Sequence, residues 1–155
     1  MISAQSIAAA QPFIDAQHAI SRRIAGHFGV RVIPTDDTSY AEVDAVIEKD
    51  GMIAAVAEIK SRRMSLEALT HMGSALITEH KLNSMCQAAR LLCAEGFLFY
   101  HLREGDALMY WRLCDDRGQL CLDVERRRMQ TPRTVEGGVA NRVNVFVPVS
   151  GGILI

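Results

Sequence analysis

No apolar run in this 155-residue chain approaches the ~18–20 residues of a transmembrane helix, so a membrane span is not expected. The start, Met1-Ile2-Ser3-Ala4-Gln5, has no basic segment ahead of an apolar one, which argues against a secretory signal. Cysteine is scarce: Cys86, Cys93, Cys114 and Cys121 form no Cys-x-x-Cys pair, and no His stands at zinc-finger spacing. Reduced, mostly buried thiols in an intracellular protein are the expectation. Aromatic residues make up only 6% of the chain, and no stacking platform for single-stranded nucleic acid is evident. Internal repeats and low-complexity segments are also missing. Neither sign of charge dominates, since the net charge is −1, but its distribution is uneven. Residues 1–60 carry 5 Lys or Arg against 8 Asp or Glu, and residues 61–155 carry 12 against 10. An acidic site in the first half and phosphate-contacting cations in the second would produce this split. Hydrophobic residues make up 49% of the chain, enough for one domain with a real core.

Helical periodicity runs over residues ~4–28, where Ala9, Phe13, Ala16, Ile20, Ile24 and Phe28 form one stripe and Gly29 ends it. Val30–Ile33 reads as a short strand, followed by a loop over Pro34–Ser39. Two short apolar segments, Glu42–Ile47 and Ile53–Lys60, flank a turn at Glu48-Lys49-Asp50-Gly51 and predict a hairpin. Ser65 is a candidate N-cap for a short helix through about His71, and Thr78 for a long one over ~79–95, with Gly96 as its C-terminal stop. Phe97–Leu102, Ala107–Leu113 and Leu120–Val124 are predicted strands, and Val143–Val149 a last one that Pro148 places at a sheet edge. Residues ~125–142, with Arg126, Arg127, Arg128, Arg133, Arg142 and Gly137-Gly138, read as a mobile basic loop. The sum is an α/β chain with a mixed central sheet flanked by helices.

The hairpin carries the chemistry. Side chains alternate along a strand, so Glu42 and Asp44 share one face of the first segment, and Val56, Glu58 and Lys60 share one face of the second. The turn decides whether the faces coincide. A two-residue Asp50-Gly51 loop pairs Asp44 with Ala57 and sends Glu58 to the other side. A three-residue Lys49-Asp50-Gly51 loop pairs Asp44 with Val56 and makes Asp44 and Glu58 diagonal neighbours, roughly 7 Å apart. In the second register Gly51 fills the left-handed position that three-residue loops favour, and the two carboxylates could share one Mg²⁺ or Mn²⁺ ion with water and phosphate oxygens. Lys60 then stands beside them, placed to orient or deprotonate an attacking water or to neutralise charge on phosphorus.

Asp44, then thirteen residues, then Glu58-Ile59-Lys60, resembles the motif of the PD-(D/E)XK nuclease superfamily. The resemblance covers about residues 8–102, including the order of flanking elements. It departs at position 43, where Val replaces the Pro of the family name. The resemblance implies a restriction-endonuclease-like αβββαβ core, with Asp44, Glu58 and the Ile59 carbonyl as metal ligands and Lys60 as the catalytic lysine. Many members carry a Glu on the first helix that faces the metal. Here Gln17 is the candidate for that position.

The remaining polar residues have plainer alternatives. Asp44, Glu58 and Lys60 themselves could be a surface salt-bridge cluster, although Ala54-Ala55-Val56-Ala57 argues for a buried strand. Arg62, Arg63, Lys81 and Arg133 are candidate phosphate contacts or else solvated cations. Glu42 is an accessory ligand or an exposed edge residue, and Tyr110 and Trp111 read as core. Together these readings predict one domain over residues 1–155 that hydrolyses DNA, duplex or branched, as a Mg²⁺- or Mn²⁺-dependent endonuclease in a bacterial or phage-infected cytoplasm. Two alternatives accompany it. One is a structure-selective resolvase, such as a Holliday-junction resolvase, acting as a homodimer. The other is a catalytically silent nucleic-acid-binding subunit.

Overall fold

The computed structural model describes residues 4–35, 42–132 and 138–155. In chain order its elements are α1 (Ala4–Phe28), β1 (Arg31–Pro34), β2 (Ala45–Lys49), β3 (Met52–Arg62), α2 (Leu66–Met72), β4 (Ser74–Thr78), α3 (Glu79–Leu92), β5 (Glu95–Leu102), β6 (Ala107–Cys114), β7 (Glu125–Pro132), β8 (Val139–Pro148) and β9 (Ile153–Leu154). A six-stranded mixed sheet has the order β1-β2-β3-β5-β6-β9, and a three-stranded sheet has the order β4-β8-β7. Among the described residues only the β3–β5 pair is parallel, and α3 lies in the crossover that connects them. None of the described helices is long and apolar enough to cross a membrane.

The central strand β3 is buried on both faces. Ala55, Ala57 and Ile59 pack with Ile20 and Ile24 of α1 and with Phe99 and Leu108. Val56, on the opposite face, joins Leu82, Met85 and Ala89 of α3, and Ala75, Ile77, Val145 and Val147 of the small sheet. A run of small and β-branched residues suits such a strand, because neither face needs polar side chains.

Local sequence chemistry explains most element ends. Gly29 follows α1 at φ 62°, a left-handed position that glycine takes without strain. The Ser65 side chain accepts from the Ala68 N–H at 3.1 Å, and that of Thr78 from the Lys81 N–H at 3.3 Å, so both expected N-caps form. The expected stop of α3 differs. The helix ends at Leu92, and Cys93 takes the left-handed cap at φ 51°. Gly96 instead begins the close pairing of β5 with β6, where a Cβ would overlap the Cys114 sulfur and crowd Met85.

Four further expectations are corrected. Residues 125–132, read as part of a mobile loop, form β7, because the whole stretch ladders onto β8 from Glu125↔Phe146 to Pro132↔Val139. Arg127 lies over the Phe146 ring at 4.6 Å, so its planar cation covers an apolar face of the hairpin. Positions 133–137 of that loop, Arg133 among them, lie outside the described residues, as do 36–39 of the loop after β1. Strand β8 is central in its sheet rather than an edge, and Pro148 is tolerated as its last residue. Leu120–Val124 makes only an isolated bridge, Cys114↔Leu120. Finally, Ser74–Thr78, between the two expected helices and assigned to no strand from sequence, forms β4.

Candidate functional site

The β2–β3 hairpin turns through Asp50 and Gly51, with Lys49 paired to Met52. Both turn residues have positive φ, 53° and 79°, the pattern of a type I′ two-residue loop. This is the register expected to separate the carboxylates, and the three-residue loop is not formed. A β-bulge restores the site. Glu48 pairs with Ile53 but Ile47 pairs with Ala55, so Ala54 is an extra residue on β3. Beyond it Ala45 faces Ala57, and the Asp44 N–H donates to the Ala57 carbonyl at 3.0 Å. Asp44 therefore stands directly across from Glu58 on the same face, closer than the diagonal arrangement the sequence suggested.

Each side chain of the cluster has a defined partner. Asp44 Oδ2 accepts the Ile59 N–H at 2.8 Å, so Ile59 contacts the pair through its amide nitrogen. Lys60 Nζ lies 2.8 Å from Glu58 Oε1. Lys81, in the first turn of α3, places Nζ 3.4 Å from Glu58 Oε2 and 3.8 Å from Asp44 Oδ1. A cation there opposes the helix dipole, and two carboxylates in front of it supply the compensation. Glu58 is only 1% exposed, and neither of its oxygens has an aligned hydrogen-bond donor. Lys60, 2.8 Å from Oε1, pairs with Glu58 as a counter-charge rather than as a hydrogen-bond donor. Two carboxylates and two ammonium groups thus form a balanced cluster at the junction of β2, β3 and α3.

Burial and the neighbouring Glu58 charge push the Asp44 carboxyl up to about 6, against the opposing effects of the Ile59 N–H, Lys81 and Lys60. The folded protein therefore holds this proton more tightly than the unfolded chain, whose aspartates titrate near 3.8. The resulting stability is fully present below 3.8 and is lost as the pH rises through about 6. Denaturant unfolding between pH 4 and 7 should show this loss in the wild type and a flatter profile in Asp44→Asn. Identical profiles would remove Asp44 as the source.

Other candidates are placed as follows. Arg62 follows Glu58 and Lys60 on the same face of β3. Its guanidinium lies over the Tyr100 ring at 5.6 Å and donates to the Ser61 carbonyl at 3.1 Å. Arg63 is exposed beside it. Gln17 is half-buried on α1, which packs on the Ala57/Ile59 face of the sheet, whereas the carboxylates rise from the other face. Among the described contacts, none joins Gln17 to Asp44 or Glu58. Trp111 is core, 1% exposed, and its Nε1 donates to the Pro148 carbonyl at 2.9 Å.

Ser84 was not singled out by the sequence, and His80 is too far from the other histidines in sequence to suggest a metal cluster. The Ser84 hydroxyl donates to Glu42 Oε2, and His80 Nε2 stands 3.8 Å from the same oxygen. With Lys81 they form one polar face of α3, directed at the segment leading into β2. Their signal was present as i, i+3 and i+4 spacing beside the apolar stripe, but the partner, Glu42 ahead of β2, was not predictable.

Among the described residues, no three His, Cys, Asp or Glu side chains converge as a metal-binding group. Among the described side chains of this cluster, the carboxylates on offer are those of Asp44 and Glu58. No protein-family model matches the chain, and no curated protein matches it either.

Proposed function

We propose that this protein is a metal-dependent nuclease of the PD-(D/E)XK kind, acting on DNA phosphodiester bonds with Mg²⁺ or Mn²⁺. The observation that carries the reading is Glu58: a fully buried carboxylate with two oxygens lacking hydrogen-bond donors, directly across from Asp44 and next to Lys60. Leaving such a group charged in the interior is costly without compensation, and a divalent cation between the two carboxylates is a chemically apt complement. The element order is compatible with the same reading, since α1, three strands, α3 and the parallel strand β5 follow the αβββαβ order of that fold once α2 and β4, which stand between β3 and α3, are counted as an insertion.

The residues fit the ion. Asp44 Oδ1 and Glu58 Oε2 are the carboxylate oxygens left over from the Ile59 and Lys60 contacts, and a hard cation takes such oxygens together with water and phosphate. The bound ion would polarise the scissile phosphate and favour ionisation of the attacking water. Asp44 and Glu58 would hold that ion, and the Ile59 N–H orients the Asp44 carboxylate. Lys60, anchored on Glu58, presents its ammonium where negative charge develops on phosphorus and where a water can be oriented. Arg62 and Arg63 continue the cationic row along β3 and its exit, suited to backbone phosphates.

A second reading, a nucleic-acid-binding subunit without catalysis, draws on the balanced charges: a cluster with two lysines is neutral without an ion. Incubation of supercoiled plasmid with the protein, with Mg²⁺ or Mn²⁺ and with chelator, decides between them. Metal-dependent nicking is expected, together with a Mn²⁺-dependent rise in Tm. DNA binding without nicking on plasmid, branched and flapped substrates, and without a Tm change, would leave the silent subunit.

A further inference from the structure

The small sheet changes character along its length. β4 pairs with β8 only from Ser74↔Pro148 to Thr78↔Asn144, whereas β7 follows β8 out to Pro132↔Val139. Among the described residues, 128–132 and 139–143 therefore pair only with each other, as a two-stranded ribbon roughly 17 Å long at the usual strand rise. Cross-strand partners share a face. Arg126 is opposite Val145, Arg128 opposite Val143 and Gln130 opposite Asn141, so Arg126, Arg128, Gln130 and Asn141 lie on the face that carries Val145. Val145 packs in the same core as Leu82 and Met85 of α3, and Arg126 Nε lies 3.2 Å from Glu79 Oε1 at the start of that helix. This face of the ribbon thus continues past the first turn of α3, the turn that meets Asp44 and Glu58. Resting on the DNA reading above, we propose that the ribbon docks in the major groove of duplex DNA by the face that carries Arg128, Gln130 and Asn141.

Three observations carry this. Shape comes first: two paired strands with a right-handed twist fit a groove roughly 12 Å wide. Charge comes second. β7 and β8 together carry four arginines against one acid, in a chain whose net charge is −1. That acid, Glu125, accepts from Arg127 at 2.7 Å and 2.8 Å, so the field of the ribbon is cationic and suits a groove walled by phosphates. Side-chain type comes third. Arg128, Gln130 and Asn141 are all exposed, and Arg, Gln and Asn are the side chains that pair bidentately with guanine or adenine edges. Val139, 62% exposed at the far end of the same face, suits a thymine methyl. An RNA duplex has a major groove too deep and narrow for such a ribbon, and a single strand has no groove. The substrate class that fits is therefore B-form duplex DNA, held beside the carboxylate pair.

The test is binding of a fluorescein-labelled, mixed-sequence DNA duplex, read by anisotropy in metal-free buffer so that binding is separated from cleavage. Arg128→Gln and Arg142→Gln remove the same charge from opposite faces of the ribbon, because Arg142 pairs with Met129. Arg128→Gln should weaken binding roughly tenfold to a hundredfold and lower the salt slope by about one. Arg142→Gln should weaken it about threefold or less, its charge being screened over a Debye length of ~8 Å at physiological salt. Equal effects of the two, or none for Arg128→Gln, would overturn the docking face. Single-stranded DNA or an RNA duplex bound as tightly as the DNA duplex would overturn the groove. Arginine modification of the wild type with phenylglyoxal, read by peptide mass spectrometry, covers the case of a variant that does not fold. The DNA duplex should protect Arg128 several-fold and Arg142 little, and unchanged labelling at Arg128 would sink the proposal. Plasmid nicking is followed alongside. Nicking by the wild type, with Arg128→Gln binding as the wild type does, would overturn the ribbon and leave the nuclease standing. Weakened binding by Arg128→Gln, with no nicking under any metal, would uphold the ribbon and overturn the nuclease.

Discussion

If the proposed nuclease reading holds, Glu58→Gln should lower metal-dependent nicking of supercoiled plasmid by on the order of 10²–10³-fold, with the chain still folded. The substitution keeps the volume of a residue that is 1% exposed and sits between Val56 and Lys60 on the α3 face of β3. What it removes is one of the two negative charges available to a cation. An amide oxygen is a weaker ligand for a hard ion than a carboxylate, and the loss is felt most where charge grows on phosphorus. The Tm rise with Mn²⁺ should shrink in parallel. Time courses on plasmid over a range of Mn²⁺ concentrations check this, and nicking by Glu58→Gln at the wild-type rate would remove Glu58 from the chemistry. Asp44→Asn should behave similarly, with a smaller loss if its Ile59 N–H contact persists at 2.8 Å through the amide oxygen.

The second large effect concerns stability. Lys60→Met should lower the unfolding free energy by about 3 kcal/mol in metal-free buffer, and adding Glu58→Gln to the same chain should restore most of that. Lys60 is the nearer of the two cations that balance Glu58, at 2.8 Å. Methionine retains the packing of the aliphatic stem but leaves the buried carboxylate with Lys81 alone, at 3.4 Å. Removing the charge on both sides relieves this, because a neutral pair has no comparable desolvation cost. Urea unfolding of the four proteins gives the coupling directly. Additive effects of the two substitutions would mean that Lys60 is a solvated cation rather than the counter-charge of Glu58.

Much of the site was legible because it depends on short-range rules. Alternation along a strand put Glu58 and Lys60 on one face, and apolar residues around them signalled burial. Side-chain capping marked Ser65 and Thr78, and the position of Lys81 in the first turn of α3 followed from Thr78. The illegible parts depend on partners distant in sequence. The Ala54 bulge leaves no mark in composition, because alanine suits both regular and bulged backbone. The strand β4 has five residues, and its pattern of Ala75 and Ile77 inward has meaning only against Val147 and Val145 of β8. The arginines of β7 resemble a solvated loop until the ladder to β8 and the Phe146 ring are known. Gly96 carried a real signal that was assigned to the wrong cause: it is required for close strand approach rather than for a helix cap.

The Ala54 bulge makes the hairpin a parity device. A two-residue turn alone would give a ladder in which Asp44 faces Ala57. One added residue changes the count from even to odd and exchanges the two faces of β3 relative to β2. Deleting a single residue between Lys49 and Ala55 would therefore send Glu58 and Lys60 into the apolar layer under α1 and bring Ala57 and Ile59 to face α3. Length changes in this hairpin should consequently be tolerated in steps of two and rejected in steps of one. The constraint lies on the number of residues in the segment rather than on their identity, so it would be visible in related chains as conserved spacing even where the turn residues differ.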